Sequence, residues 1–153
     1  MPDFDTVEKR IDGILGGEGS AEAKLAEVCD LLRAEIAHYD WVGFYIVADN
    51  RELALGPYAG APTEHTRIPF GRGICGQAAQ KGETFVGQDV SAQSNYLSCS
   101  AEVKAEIVVP VFREGIVVGE IDIDSHRLSP FTDRDRRFLE SLSRKVAGLI
   151  TSS

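Results

Sequence analysis

The sequence has no surplus of positive charge. Its 24 acidic residues outnumber 16 lysines and arginines, leaving a formal charge of -8 at pH 7. A chain that grips phosphate backbones needs the opposite balance, so nucleic acid is excluded as a partner. No apolar run approaches the ~20 residues that cross a bilayer. The opening residues, MPDFDTVEKR, have no basic start leading into an apolar stretch, so they do not read as a secretory leader. The expectation is a cytoplasmic protein with no membrane partner. Cysteine is scarce, with three in 153 residues, and no C-x-x-C pair occurs. A structural disulfide framework and a zinc finger are both disfavoured. The three histidines, His38, His65 and His126, sit in no protease context. An acyl-transfer cysteine would therefore lack its base. There is no repeat and no low-complexity segment.

What is present suits one domain over residues 1–153, with an N-terminal helix and Gly-rich joint in 1–19 and a core in 20–153. Phe4, Val7, Ile11, Ile14 and Leu15 share a helical face before the joint GILGGEG (13–19). Ser20 is an N-cap candidate, and Leu25, Val28, Cys29, Leu32 and Ile36 recur at helical spacing after it. That stripe makes Cys29 a core residue. WVGFYIVA (41–48) is β-branched and aromatic and reads as a strand. Further strands fall near 53–58, at Phe85-Val86, over 106–112 and over 115–124, the last two forming a hairpin around Arg113-Glu114-Gly115. Thr132 with Asp135 opens a closing helix whose buried stripe is Phe138, Leu142, Val146, Leu149 and Ile150. Hairpins mean antiparallel pairing. Helices from both ends can cover one sheet face, giving an α+β domain whose other face, with the long stretch 59–105, is free to build a pocket.

Four features could carry chemistry. GRGICG (71–76) matches G-x-G-x-x-G but lacks the βαβ context of a dinucleotide site. It reads instead as a glycine turn into a short helix, about 74–80, stopped by Gly82. Cys75 is then either packed there or made more nucleophilic by the helix start, whose free N–H groups could also bind a carboxylate. GEIDIDS places Glu120, Asp122 and Asp124 on one strand face and Ile121 and Ile123 on the other. Such alternation is either a solvated face or a cluster that holds an amine and keeps a proton at neutral pH. Trp41 and Tyr45 share a face with Gly43 between them, as core packing or as the wall of a ligand space. Cys99 stands between two serines, seven residues before Glu106, as an incidental thiol or a redox-active one.

Taken together, DWVGFYI, LGPYAG, RIPFGRGICG, NYLSC with AEIVVPV, VGEIDIDS and FTDRD resemble, in order and spacing, the free methionine-(R)-sulfoxide reductases. The resemblance covers about residues 38–150. It implies a GAF fold, with an antiparallel sheet of five to six strands, terminal helices on one face and a ligand pocket on the other. It also implies reduction of the free amino acid's R-sulfoxide, with no metal or organic cofactor, recycling by thioredoxin, and a homodimer. Cys99 corresponds to the catalytic thiol and Cys75 to a second family cysteine. Glu106, Asp122 and Asp124 correspond to acids that contact substrate, and Trp41 and Tyr45 to the pocket around its methyl end. The chain departs from the family pattern in three places. His65 stands where a further cysteine is common, Ser100 where Asp is common, and Glu120 where an apolar residue is usual. Two other classes compete: a GAF sensor that binds without turnover, and a metal module using His65, Cys75, Cys99 and carboxylates.

Overall fold

The computed structural model describes residues 2–49, 51–92 and 102–150. Helix α1 runs Phe4–Gly16 and α2 runs Ala21–Glu35. Gly13 and Gly16 lie inside α1, so the expected flexible joint shrinks to the short link before Ser20. The Ser20 hydroxyl accepts from the Ala23 N–H at 3.1 Å, satisfying one of the amide donors that a helix start leaves open. Among the described residues six strands follow: β1 Trp41–Ala48, β2 Glu52–Ala59, β3 Arg67–Pro69, β4 Phe85–Gly87, β5 Ala105–Arg113 and β6 Ile116–Ser125. Helix α3, Gly73–Lys81, lies between β3 and β4, and α4 covers Asp133–Val146. The three-residue β3 escapes sequence reading because it is too short for a period and ends in proline.

All pairings are antiparallel, in the order β3-β2-β1-β6-β5-β4. The β5–β6 hairpin pairs Arg113 with Ile116 across Glu114 and Gly115. Both turn residues have positive φ, 53° and 79°, as a two-residue loop matched to the strand twist requires. Strand alternation sorts the sheet into two faces. Val42, Phe44, Ile107, Val109, Ile121 and Ile123 join α1, α2 and α4 in the larger core. Trp41, Tyr45, Val108 and Cys75 belong to a second, smaller core under α3. The sheet therefore has helices from both chain ends on one face and α3 on the other.

Helix α4 begins with a complete capping box, in which Thr132 and Asp135 bond each other's backbone. Asp135 also binds His38 Nε2 at 2.8 Å and accepts from the Tyr39 hydroxyl at 2.7 Å. Its burial would raise the carboxyl's pKa. The bonds from His38, Thr132 and Tyr39 outweigh that and hold it below the usual aspartate range. This knot ties α4 to the segment leading into β1.

Candidate active site

Strand β6 lies centrally, so both of its neighbours help place its acids. Asp124 pairs with Trp41 of β1 and Glu106 of β5, Asp122 with Gly43 and Val108, and Glu120 with Tyr45 and Pro110. All four carboxyl-bearing residues are no more than 5% exposed. The solvated-face alternative is thus removed, because α3 roofs this side of the sheet. Both oxygens of Glu120 and one each of Asp122 and Asp124 have no hydrogen-bond partner among the described residues. Buried unpaired carboxylates are costly, so the cluster answers by holding protons. Burial, then the Asp122 charge, pushes Glu120 well above the usual glutamate range, against the pull of the Cys75 thiol. Burial also raises Asp122, against bonds to Glu106 and Cys75 and the field of His65. Asp124 is raised by burial and by Asp122.

Cys75 enters this cluster from the first turn of α3. Its Sγ donates to Asp122 Oδ2 at 3.3 Å and lies 3.7 Å from Glu106 Oε2. The glycines of GRGICG are what make this approach possible. Gly71 and Gly73 have φ of 86° and 66°, and a Cβ on Gly76 would lie 2.5 Å from the Pro69 carbonyl oxygen. They serve a tight turn and close packing. Among the described residues the antiparallel sheet has no βαβ unit to host a dinucleotide. The expectation that the helix start would activate the Cys75 thiol is corrected. Burial, with Asp122, Glu106 and Glu120 beside it, drives its pKa well above the ordinary cysteine value. One helix turn contributes about half a positive charge, too little against burial and three acids.

A small cavity of about 10 Å³ lies beside Cys75, roughly one water molecule in size. Tyr45, His65, Ile68, Arg72, Glu106 and Asp122 are among its walls. Sequence reasoning did not name Arg72, Ile68 or His65 as walls. The one available signal was their nearness to the glycine turn. The Tyr45 hydroxyl donates to the His65 carbonyl at 2.9 Å, fixing the strap that carries His65. Trp41 shares the sheet face but lines a different hollow of about 210 Å³, together with Asp40, Val103, Asp124 and His126. Its indole N–H donates to the Ala61 carbonyl, and its ring stacks on Tyr58. In place of the single aromatic-walled cavity read from the sequence, the described residues form two hollows, one touching Asp122 and Glu106 beside Tyr45 and the other touching Asp124 beside Trp41. Gly43 does not leave room for a ligand, because a Cβ there would sit 2.3 Å from Trp41 Cη2. Gly43→Ala should therefore displace the indole and cost about 1–3 kcal/mol of stability. Trp41 is the only tryptophan, so a shift in emission maximum together with a lowered urea midpoint checks this. Cys99 lies outside the described residues. Cys29 is fully buried between α2 and β2, as its stripe predicts, with its thiol 3.5 Å from the Pro57 carbonyl oxygen.

A sheet of this order, helices on one face and a roofed acidic hollow on the other, is the architecture of a GAF domain, and the GAF domain family model matches residues 20–151. The free methionine-R-sulfoxide reductase of Escherichia coli is 31% identical over 150 residues, covering 98% of this chain and 90% of that one. The enzyme of the same name from Saccharomyces cerevisiae is 35% identical over 146 residues, covering 87% and 81%. The crystal structure of the Neisseria meningitidis free methionine-R-sulfoxide reductase with its substrate superposes with a TM-score of 0.90 at 37% identity, covering 95% and 87%. The chain belongs to the free methionine-R-sulfoxide reductase family of GAF-domain proteins.

Proposed function

We propose that this protein reduces free L-methionine-(R)-sulfoxide to methionine, as an oxidoreductase acting on sulfur with a disulfide as acceptor. The observation that carries this reading is the thiol of Cys75 set among buried carboxyls that hold their protons. Such acids suit a reaction that must protonate a sulfoxide oxygen. Asp124, which lines the same hollow as Trp41, would accept the substrate ammonium once it has shed its proton. Trp41 and Tyr45 would supply the apolar surface for the methyl end once the hollows they separately line join around the substrate, and the first-turn N–H groups of α3 would be donors for the carboxylate. Admission of an amino acid requires the Cys75 cavity to open beyond its present single-water size.

In the first step Cys99, as thiolate, attacks the sulfoxide sulfur while a protonated carboxyl of Asp122, Glu106 or Asp124 donates to the oxygen. Oxygen passes to Cys99. The transient bond between the two sulfurs and the substrate S–O bond break, the cysteine S–O bond forms, methionine gains two electrons, and Cys99 becomes a sulfenic acid. The acid that gave its proton is left as a carboxylate, and Cys75 is already bonded to such a group. That carboxylate takes the Cys75 proton as its sulfur attacks Cys99. The disulfide forms, the sulfenic S–O bond breaks, and hydroxide leaves as water with the proton returned. Thioredoxin then restores both thiols by dithiol exchange. A cytoplasmic homodimer of single domains spanning 1–153 completes the proposal. Among the described residues no helix is long and apolar enough to cross a membrane.

The test couples NADPH loss, through thioredoxin and its reductase, to the separate R and S epimers of free methionine sulfoxide and to a peptide-bound sulfoxide. Turnover is expected with the free R epimer alone. Binding of that epimer, seen in Trp41 emission, without any turnover would replace the enzyme by a sensor.

A further inference from the structure

The site carries more buried acid than one proton transfer needs, and the spacing that lets Cys75 hydrogen-bond its acids also suits a metal ion. One ligand atom each from Cys75, Glu106 and Asp122 lies within 4.8 Å of the others. Zinc bonds of ~2.3 Å to sulfur and ~2.1 Å to oxygen, at tetrahedral angles, put sulfur and oxygen ligands about 3.6 Å apart. The observed separations from Cys75 Sγ are 3.3 Å to Asp122 and 3.7 Å to Glu106. A second observation is independent of that spacing. Asp122 is 2% exposed and lines the cavity, yet its Oδ1 has no hydrogen-bond partner among the described residues. The third is the cavity itself, which at about 10 Å³ is the size of the one water that would complete a four-coordinate ion.

We propose that Cys75, Glu106 and Asp122 bind a thiophilic divalent cation of the zinc type, with water as fourth ligand, and that the bound ion switches the thiol off. The ion displaces the thiol proton, and any proton held by the Glu106 and Asp122 carboxyls, to solvent, so that one thiolate and two carboxylates bring the ligand charge to three negative. One thiolate with two carboxylates favours zinc, cobalt or cadmium over magnesium or calcium, whose ligands are all oxygen. This is an inhibitory ion and not a cofactor. It occupies both the proton donors and the resolving thiol, so the loaded protein cannot turn over. That last consequence rests on the reductase reading, but the binding does not.

The experiment is a cobalt(II) titration of reduced, metal-free full-length protein, read by absorbance. A saturating one-to-one spectrum is expected, with intense tetrahedral d–d bands and a thiolate-to-cobalt charge-transfer band, displaced by one equivalent of zinc. Cys29→Ser and Cys99→Ser should keep the band, and Cys75→Ser should lose it while retaining its folded circular dichroism. Asp122→Asn, which removes the carboxyl that could become an anionic ligand without changing shape, should weaken binding at least about tenfold. No charge-transfer band in the wild type, loss of the band in Cys99→Ser, or unchanged affinity in Asp122→Asn would each overturn the site. The Asp122→Asn result decides the matter if Cys75→Ser does not fold. Where the metal-free protein turns over methionine sulfoxide, one equivalent of zinc should abolish that rate and a chelator restore it. A metal-free protein with no turnover but with the cobalt spectrum would sink the reductase reading and leave the site standing.

Discussion

Cys99→Ser is expected to lower steady-state reduction of free methionine-(R)-sulfoxide by at least about 10³-fold, because removing a nucleophile that forms a covalent intermediate removes the reaction path. Cys75→Ser should behave differently. The proton donors remain, and Cys99 can still take the oxygen, so a prereduced sample should release one equivalent of methionine in a single turnover. It should then stall as a sulfenic acid that a sulfenate-trapping reagent captures at Cys99. Thioredoxin-linked turnover should fall by roughly tenfold or more, and small thiols should restore part of it, since they reach a sulfenic acid without an internal partner. The raised pKa of Cys75 sharpens this contrast. A thiol held protonated by burial and three acids is a poor first nucleophile. It becomes a competent second one once its neighbour has given up a proton. First-turnover methionine lost in Cys75→Ser but kept in Cys99→Ser would reverse the roles assigned here, and steady-state activity surviving in Cys99→Ser would end them.

The second large effect is on stability. Glu120, Asp122 and Asp124 all hold protons more tightly folded than unfolded. Between the unfolded value and the folded one, the native state binds more protons, so stability falls as pH rises. For Glu120 the loss starts at its ordinary value of 4.5 and grows by about 1.4 kcal/mol per pH unit until the folded carboxyl ionises. Asp135 works in the opposite sense. Its folded pKa lies below the ordinary 3.8, so its contribution is lost only at lower pH. Urea unfolding should therefore show greater stability near pH 5 than near pH 8. Glu120→Gln should flatten that slope and raise the midpoint at pH 8. Glu120→Leu should raise it further, because an apolar side chain there needs no partner. Stability that is level or increasing from pH 5 to 8 in the wild type would show that the acids are neutralised by something other than protons. The same measurement with zinc present is a check on the ion site, since a bound ion stabilises by mass action.

Much of this site was legible because strands alternate. GEIDIDS puts its acids on one face whatever the rest of the chain does, and WVGFYIVA does the same for Trp41 and Tyr45. The hairpin turn, the caps at Ser20 and Thr132 and the helical stripes of α2 and of α4 as far as Val146 are local rules, satisfied within a few residues, whereas Leu149 and Ile150 fall beyond the α-helix and Leu149 is only half-buried. Leu139 and Glu120 show where local reading thins out. Leu139 is fully buried beside the expected stripe, because α4 sits in a groove wider than one row of side chains. Glu120 shares its period with two candidate acids, yet only its neighbours Tyr45 and Pro110 decide that it is as buried as they are.

The sequence by itself determined the strand and helix segments apart from β3 and the last turn of α1, the face on which the acids, Trp41 and Tyr45 stand, and the burial of Cys29 in its helical stripe. Tertiary structure alone decided that α3 roofs the acid face, that Trp41 fills the space over Gly43, and that Cys75 lies against Asp122 and Glu106 with its pKa raised. The reason is range. Periodicity and caps act over a few residues, whereas desolvation and charge fields depend on which groups, 31 and 47 positions apart for Cys75, the fold brings into contact.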